Sequence, residues 1–398
     1  MGTAVRKLDI VCYAALVLFA VLFLYVGNRV TAGGLGLFDP EYGFPTAEAR
    51  VTRILDVSED IIDAHMSTVS IKFEARILSG AGARGEIIEG RQNIFSLYYC
   101  LATREVSAGD RVILIWNWDD GWHLGSYVRI NRVIIFGCIF IALLFIFGRV
   151  KGLSAVIALG LTCTAVFAVF IPAVLSGRNI YISAALVCVY SVVVTLFMVN
   201  GMNRKSLAAV AGCFGGIIVI AALSLIMGDV LDLTGIVDGT AEDLLFLPLD
   251  EPLNLRAIIF AGIMIGAVGA IMDVAMSIAT ALWEIKQRAP GLDFAGLYKS
   301  GINMGKDIVG TMANTLVLAY TGGSLSIILL LLVWSNSLAE LMNLELVITE
   351  LLKAITGIFG ILLTMPLTAL VCAALFASDK APPYDTDNIA YLLQDDKD

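Results

Sequence analysis

Eight stretches of the 398-residue chain are apolar over lengths close to the width of a lipid bilayer. The hydrocarbon core is about 30 Å thick, so a helix that rises about 1.5 Å per residue needs about 20 apolar residues to cross it. The stretches lie at about 8–27, 133–148, 153–175, 180–200, 206–228, 256–282, 311–335 and 353–377. The chain is 59% hydrophobic and only 15% charged, unlike ordinary soluble domains. The sequence therefore predicts an all-α polytopic membrane bundle of about eight transmembrane helices.

Basic residues in the short loops give the expected orientation, because such residues mark the cytoplasmic side of a membrane protein. If the spans alternate, one side receives Arg6, Lys7, Arg149, Lys151, Arg204, Lys205, Lys286, Arg288, Lys299 and Lys306. The loops 229–255 and 336–352, which are acidic, then face the other side. We therefore expect a multi-pass protein of the cytoplasmic (plasma) membrane with both termini in the cytoplasm.

The same pattern divides the chain into four parts. Residues 1–28 form an N-terminal transmembrane anchor, since the apolar run is long for a signal peptide and no A-x-A-like cleavage site follows it. Residues 132–378 form a seven-helix membrane domain with the two acidic external loops. Residues 379–398 form a cytoplasmic tail, and 33–131 form a domain of different composition.

Residues 33–131 alternate between apolar and polar side chains, with Gly-rich turns, which is typical of β structure. Five candidate strands lie at 49–57, 67–78, 84–90, 111–118 and 123–130. They predict a small extracytoplasmic all-β barrel or sandwich of the OB or SH3 type. Acids and bases are mixed without a basic stripe, so we expect no nucleic acid and instead a protein partner at this domain. His65 and His123 lack the neighbouring ligands of a zinc site and are expected to be structural.

The two acidic loops also contain apolar residues, as in LLFLPL at 244–249 and SNSLAELMNLELVITELLKA at 335–354. One interpretation is a pair of interfacial helices whose carboxylates are solvated. The other is a re-entrant or vestibular structure in which the carboxylates concentrate cations. The sequence leaves both open.

Asp273 interrupts the apolar stretch GAVGAIMDVAMSIAT at 266–280. A charge in the middle of a bilayer costs at least a few kcal/mol, so intramembrane carboxylates tend to face protein or water and often mark function. At helical spacing, one narrow face carries Gly262, Gly266, Ala270, Asp273 and Ser277. The G-x-x-x-G pair allows a close neighbouring helix, which predicts that Asp273 faces one. A structural hydrogen bond could stabilise the Asp273 carboxylate there, or the carboxylate could form an ion or proton site.

The following spans supply polar residues that are candidates to meet Asp273 and Ser277. They are Thr311, Asn314 and Thr315, with Asp307, Thr364 and Thr368 as secondary candidates. Carboxylate, hydroxyl and amide oxygens suit a hard cation, and Pro366 would free a carbonyl in the same region. The alternative is that the threonines only pack and that Asp307 is a helix N-terminal acid. The functional interpretation predicts convergence in the inner half of the membrane, and leaves open whether a metal binds.

The last spans resemble the YibE/F-like integral membrane proteins of bacteria. The resemblance lies in AGIMIGAVGAIMDVAMSIATAL (261–282), SGINMGKDIVGTMANTLVLAYTGGSLSIILLL (300–331), the region of Asn343 and Glu345, and TGIFGILLTMPLTAL (356–370). An N-terminal anchor followed by a small external β domain is also similar to the family, whereas Lys306 stands where arginine is expected. The resemblance implies a membrane protein, of a kind sometimes described as a permease, with no established substrate.

The chain contains no P-loop, nucleophile–base set or H-E-x-x-H sequence, so we expect neither an enzyme nor a bound cofactor. The leading hypothesis is a permease or secondary transporter of a small ion or solute in the lipid bilayer, coupled to protons or cations through Asp273. The alternative is a non-transporting membrane scaffold or sensor that acts through its β domain. No internal repeat is visible around residue 228, which counts against a transporter.

Overall fold

The computed structural model describes residues 2–32, 44–63, 66–97, 104–247, 249 and 252–377. The chain divides into two compact units, one of Met1–Leu35 with Leu144–Asp398 and the other of Gly36–Leu143. The division therefore lies near the predicted limits 33–131 of the β domain. His65 and the predicted tail 379–398 fall outside the described residues.

The smaller unit contains a closed five-stranded barrel. Its strands are β1 Thr46–Asp63, β2 Met66–Gly80, β3 Ile87–Leu97, β4 Arg111–Asn117 and β5 Gly121–Tyr127. The order around the barrel is β1-β2-β3-β5-β4, and β3 pairs with β5 in parallel. A parallel pair does not occur in an antiparallel meander, so it favours the OB type over the SH3 type.

Alternation along β2 shows why this segment is a strand. Ile71, Phe73 and Ala75 are buried in the barrel, whereas Lys72 and Glu74 between them point outward. This period of two suits a strand with one face in a core and the other in water. The five strands predicted from the same pattern all occur, but β1 ends at Asp63 rather than at 57, and β3 lies at Ile87–Leu97 rather than at 84–90.

The larger unit is helical. Its helices are α1 Gly2–Thr31, α2 Ile130–Ala165, α3 Ile171–Leu175, α4 Ile180–Asn200, α5 Arg204–Val230, α6 Gly239–Asp243, α7 Leu255–Arg288, α8 Phe294–Gly323, α9 Leu325–Trp334, α10 Leu338–Asn343 and α11 Glu345–Ala377. A π-helical turn, Val166–Phe170, joins α2 to α3, and a 3-10 turn, Leu244–Phe246, follows α6. The N-terminal residues of α2 belong to the smaller unit.

Side-chain caps determine where several of these helices begin. At each cap, a side-chain oxygen accepts a hydrogen bond from a backbone N–H of the first turn, which has no partner within the helix. The capping residues are Asn179, Asn203, Asp238, Asn254, Asp293 and Ser337. Asn254 Oδ1, for example, accepts from Ala257 N at 3.0 Å and starts α7.

In the described part of the chain, six helical segments are long and apolar enough to cross a membrane, and the bent pair α8–α9 makes seven if it forms one span. The predicted eight counted 133–148 and 153–175 separately. The structure also breaks the helix between these two stretches: at Arg149 φ is 48° and ψ is −126°, and a Cβ at Gly152 would meet the carbonyl of Leu144, so the chain bends sharply there. The count of six takes the 46 residues of Ile130–Leu175 as one segment. The count of eight and the orientation stay predictions.

Helix α11 lies at the centre of the larger unit and packs against α5, α7 and α8. A Cβ at Gly216 would lie 2.0 Å from Thr364 Oγ1, and a Cβ at Gly212 would lie 2.0 Å from Thr368 Oγ1. Only glycine therefore fits at these two positions of α5. The close helix approach predicted for Gly262 occurs instead at this second G-x-x-x-G pair, since no atom lies within 4 Å of a Cβ at Gly262.

The turn between α7 and α8 is held by a buried lysine. Lys286 is 3% exposed, and its Nζ donates to the carbonyl oxygens of Pro290 at 2.8 Å and Leu292 at 2.9 Å. Lys286 was counted among the basic residues that mark the cytoplasmic side, but its ammonium group binds the turn and is not free in solvent.

Replacing Lys286 with methionine is expected to lower the free energy of unfolding by about 1–3 kcal/mol, because two buried carbonyl groups lose their donor. Thermal unfolding of the purified protein in detergent would measure the change. The exposed Arg288 provides a matched control, since Arg288→Met should alter stability by less than about 0.5 kcal/mol. Equal effects of the two substitutions would contradict the role assigned to Lys286.

Candidate functional site

Helix α8 carries a polar face that no described part of the chain covers. The exposed polar residues are Asn303, Lys306, Asp307, Thr311, Asn314, Thr315 and Thr321. The buried residues Leu297, Gly301 and Gly305 mark the opposite side, which packs against α11 and α7. Asn314 follows Gly305 by nine residues, which at about 100° per residue places the two on opposite sides of the helix. The polar residues thus point away from the bundle.

A face of this composition is costly against lipid, because hydrocarbon offers no hydrogen-bond partners to amide, carboxylate and ammonium groups. Helices with such a face in membranes border water or another protein. The other long helices of the unit have mainly apolar exposed surfaces, as on α2, where Phe136, Phe147 and Leu159 are exposed. The polar face therefore distinguishes α8 from the rest of the unit.

The helix that carries this face is broken. Between Gly323 and Leu325 the chain bends by 65°, so α8 and α9 together form either a broken span or a re-entrant pair. Gly322, Gly323 and Ser324 lie at the bend, where glycine weakens a helix. Broken helices of this kind form the substrate and ion sites of many secondary transporters. The sequence predicted one continuous span at 311–335 and did not indicate the break.

Asp273 lies on an exposed face of α7 that α8 reaches. Gly262, Gly266 and Ser277 share this face and are also exposed. Tyr320 Oη of α8 would lie 2.5 Å from a Cβ at Gly266, which is two helical turns from Asp273. Among the described residues, Asp273 has no hydrogen-bond or ion-pair partner. Helix α8 thus approaches this face of α7 at Gly266, whereas Asp273 itself is exposed.

The relative position of α7 and α8 follows from their contacts. Leu282 Cδ1 would lie 3.0 Å from a Cβ at Gly301, and Tyr320 covers Gly266, so the two helices are antiparallel. This register places Asp273 level with the middle of α8, near Gly310. The carboxylate and the polar face therefore lie at the same depth.

The structure does not show the predicted convergence of the other candidates with Asp273. Thr311 Oγ1 donates to Ile308 O at 2.9 Å and Thr315 Oγ1 to Thr311 O at 3.0 Å, so both hydroxyls bind their own helix. No hydrogen bond joins Asp273 or Ser277 to α8 in the part of the chain that the structure describes.

Thr364 and Thr368, which were expected to border the same cavity, are fully buried. Their hydroxyl oxygens are the atoms that a Cβ at Gly216 or at Gly212 of α5 would meet first. They therefore pack α11 against α5 and lie apart from the exposed faces of α7 and α8. Of the predicted residues, Asp273 and Ser277 are exposed on α7, whereas Asp307, Thr311, Asn314 and Thr315 are exposed on the side of α8 that points away from the bundle. Among the described residues, no hydrogen bond or ion pair joins the two groups.

Several carboxylates of the two acidic loops stabilise local backbone. Asp229 pairs with Arg256, Asp238 accepts from Ala241 N at 2.8 Å, and Glu340 accepts from Asn336 N at 2.9 Å. The described part of loop 229–255 contains short helical turns and no segment long enough to cross a membrane. These three carboxylates have partners within the protein, which neither interpretation, solvated interfacial acids or a vestibule that concentrates cations, had predicted.

Glu345 makes the most extensive of these contacts. Its carboxylate accepts from Thr234 N at 2.8 Å, Thr234 Oγ1 at 2.7 Å and Gly235 N at 2.6 Å. These bonds join loop 229–255 to the first residue of α11. The sequence marked the region of Glu345 only through its family resemblance and did not indicate this role.

Replacing Glu345 with alanine is expected to destabilise this contact by about 1–2 kcal/mol, because three hydrogen bonds to a charged acceptor are lost at a partly solvated site. Hydrogen exchange of the amides at 234 and 235 should become faster, as mass spectrometry of the peptides can measure. Glu242→Ala, an exposed position in the same loop, should leave the exchange rates unchanged. Unchanged exchange in Glu345→Ala would contradict the assignment.

Metal ligation was left open by the sequence. Among the described residues, no group of three or more His, Cys, Asp or Glu side chains is arranged to hold a metal ion.

Comparison with known proteins gives a family match for most of the helical part of the chain. The family of YibE/F-like proteins matches residues 136–378, which is more than half of the chain. No curated protein and no solved structure matches the chain. The matched region includes α7, α8 and α11, and begins after the strands of the barrel. The chain therefore belongs to the family of YibE/F-like proteins.

Proposed function

We propose that the protein is a permease or secondary transporter whose solute pathway runs along the polar face of α8. The observation that carries this proposal is the uncovered row of polar side chains along a helix of an otherwise apolar bundle. A row of amide, hydroxyl and charged groups can replace the hydration shell of an ion or small polar solute as it crosses. The apolar surfaces of the other helices offer no such groups.

Asp273 acts in this proposal as the carboxylate that carries the coupling proton or cation. It lies at the depth of the middle of α8, has no ion-pair partner among the described residues, and is exposed on the face that α8 approaches. A carboxylate without a fixed partner can change its protonation state or its bound cation without breaking the fold. The break between α8 and α9 gives the pathway a place to change conformation.

Access of water to α8 tests the proposal. Asn314→Cys should react with a membrane-impermeant methanethiosulfonate reagent, because only a thiol in water ionises and reacts readily. Peptide mass spectrometry would locate the label, so the native cysteines can stay. Cys163, which is exposed on α2 among apolar residues, provides an internal control and should react at least about tenfold more slowly.

The rate at which Asn314→Cys is labelled distinguishes the proposed pathway from a polar face that lipid or a protein partner covers. If Asn314→Cys reacts no faster than Cys163, the polar face is covered by lipid or by a protein partner, and the pathway is refuted. A scaffold that acts through the β unit predicts that result. Thr311→Cys should behave like Asn314→Cys, because both positions lie on the same side of α8.

A further inference from the structure

Two cavities of the larger unit meet at one loop. A cleft of about 650 Å³ lies between α1, the α2–α3 junction and α4, and a smaller cavity of about 190 Å³ lies between α3, α4 and the start of α7. Gly177, Arg178 and Asn179 line both of them. Neither cavity includes a residue of α8 or Asp273, so both are separate from the proposed pathway.

The two cavities differ in chemistry. The larger cleft is lined mainly by apolar side chains, which include Phe23, Val26, Val30, Val169, Leu186 and Val187. The smaller cavity combines polar groups from Arg178, Asn179, Tyr181 and Asn254 with the apolar residues Val174, Ile180, Pro252, Leu253 and Ala257. Together they form a site that is apolar in the larger cleft and carries polar groups at Arg178 and in the smaller cavity. An amphiphile has the same division.

The walls of the larger cleft are fixed by specific contacts. Pro172 has no N–H to donate to the carbonyl of Ala168 one turn earlier, and Asn28 Nδ2 of α1 donates to that oxygen at 2.7 Å. A Cβ at Gly27 would lie 2.8 Å from Val169 Cγ1, so α1 approaches the π-helical turn closely at this glycine. Arg178 donates to Val30 O at 3.1 Å and holds the other end of α1. Specific residues of α1, of the α2–α3 junction and of the loop before α4 therefore fix the walls of the cleft.

Arg178 supplies a positive charge without a carboxylate partner among the described residues, since its recorded contact is with the Val30 carbonyl. Asn179 caps the 21-residue helix α4, whose N-terminal end adds a partial positive charge beside Arg178. A guanidinium group binds a phosphate with several N–H donors at once. The junction of the two cavities thus favours an anion attached to an apolar chain.

We propose that this pair of cavities binds a membrane phospholipid with an anionic headgroup, with one acyl chain in the larger cleft and the phosphate at Arg178. The volume of the cleft lies within the range of about 300–1,000 Å³ that is usual for ligand sites. The bilayer supplies such lipids at high local concentration. The site binds its lipid between α1 and α4 and joins the anchor helix to the rest of the unit.

Native mass spectrometry of the full-length protein in detergent tests the proposal. Phosphatidylglycerol should bind about tenfold more tightly than phosphatidylcholine with the same acyl chains, because the positive choline group of the second cancels the charge of its phosphate and is repelled by Arg178. Arg178→Gln should remove this preference. Arg29→Gln, which changes an exposed charge on α1 outside both cavities, should retain it. Equal binding of the two lipids to the unaltered protein would overturn the proposal.

A second arm tests the acyl-chain site without changing any charge. Leu186→Trp should fill the cleft and reduce phosphatidylglycerol binding about tenfold, whereas Leu159→Trp, on the exposed surface of α2, should not. Glycerol phosphate, the headgroup without acyl chains, should bind too weakly to detect. If it binds as tightly as phosphatidylglycerol, or if Leu186→Trp leaves lipid binding unchanged, the cleft does not hold the chain and the proposal is wrong.

Discussion

Replacing Gly216 with leucine is expected to prevent the larger unit from folding. A Cβ at this position would lie 2.0 Å from Thr364 Oγ1, 3.2 Å from Ile271 Cγ2 and 3.3 Å from Thr364 Cβ, so helices α5 and α11 would have to separate. Inserting one or two methylene groups into a packed core typically costs about 1–3 kcal/mol, and leucine adds four carbons at an interface with no free space. We expect a loss of at least about 4 kcal/mol, visible as a loss of monodisperse protein on gel filtration.

A matched substitution on α7 provides the control. Gly262 has no atom within 4 Å of the position of its missing Cβ, so Gly262→Leu should change the free energy of unfolding by less than about 0.5 kcal/mol. Similar losses at the two positions would show that the interface is not specific to α5.

A double substitution tests the contact directly. Gly216→Ala alone should destabilise the protein by about 1–3 kcal/mol. Adding Thr364→Ala removes the oxygen at 2.0 Å and leaves the nearest atoms at 3.2 and 3.3 Å, so part of the stability should return. Strictly additive losses in this double-mutant cycle would contradict the contact between Gly216 and Thr364.

The elements that the sequence predicted well are those whose pattern is local. Alternation of apolar and polar residues predicts the strand β2, and an unbroken apolar run predicts the helix α4. Each occurs within a few residues of its predicted position. Helix α8 shows the opposite case. Its first half carries Asn303, Lys306 and Asp307, so an average of hydropathy detects a span only from residue 311, although the helix begins at Phe294.

The packing partners of the helices could not be predicted, because one local pattern occurs at several places. Gly212 with Gly216 and Gly262 with Gly266 are both G-x-x-x-G pairs, but only the first pair meets another helix closely enough to require both glycines. What decides between them is the position of Thr364 and Thr368, which lie about 150 residues later in the chain. Such long-range pairing is not encoded in the spacing of the glycines themselves.

The candidate site was predicted only in part, because it too depends on how distant helices pack. An intramembrane carboxylate can be recognised from the apolar residues around it in the sequence, so Asp273 stands out without a structure. Whether its face is covered depends on how α8 crosses α7, which no spacing rule gives. The structure leaves that face exposed and shows that the polar residues of α8 run along the helix, interrupted by the exposed Val317 and Leu318, rather than cluster around Asp273.

Replacing Asp273 with asparagine is expected to abolish proton movement that accompanies transport. Asparagine has nearly the same shape but cannot bind or release a proton, and it offers a cation no negative charge. Proteoliposomes with an enclosed pH-sensitive dye would be exposed to imposed gradients of sodium, potassium, magnesium and a panel of small solutes. The unaltered protein should move protons in response to at least one of them, and Asp273→Asn should fall to the level of protein-free liposomes.

Stability and a matched control separate this loss from misfolding. Asp273 is exposed and has no hydrogen-bond partner among the described residues, so Asp273→Asn should change the free energy of unfolding by less than about 0.5 kcal/mol. Glu284 is also exposed and follows Asp273 by eleven residues, which returns it to the same side of α7, near the helix end. Glu284→Gln removes the same charge and should retain proton movement, because the residue lies outside the middle of the span. If Asp273→Asn retains proton movement, Asp273 does not carry the coupling proton. The pathway along α8 would then still be tested separately, by the access of water to Asn314→Cys.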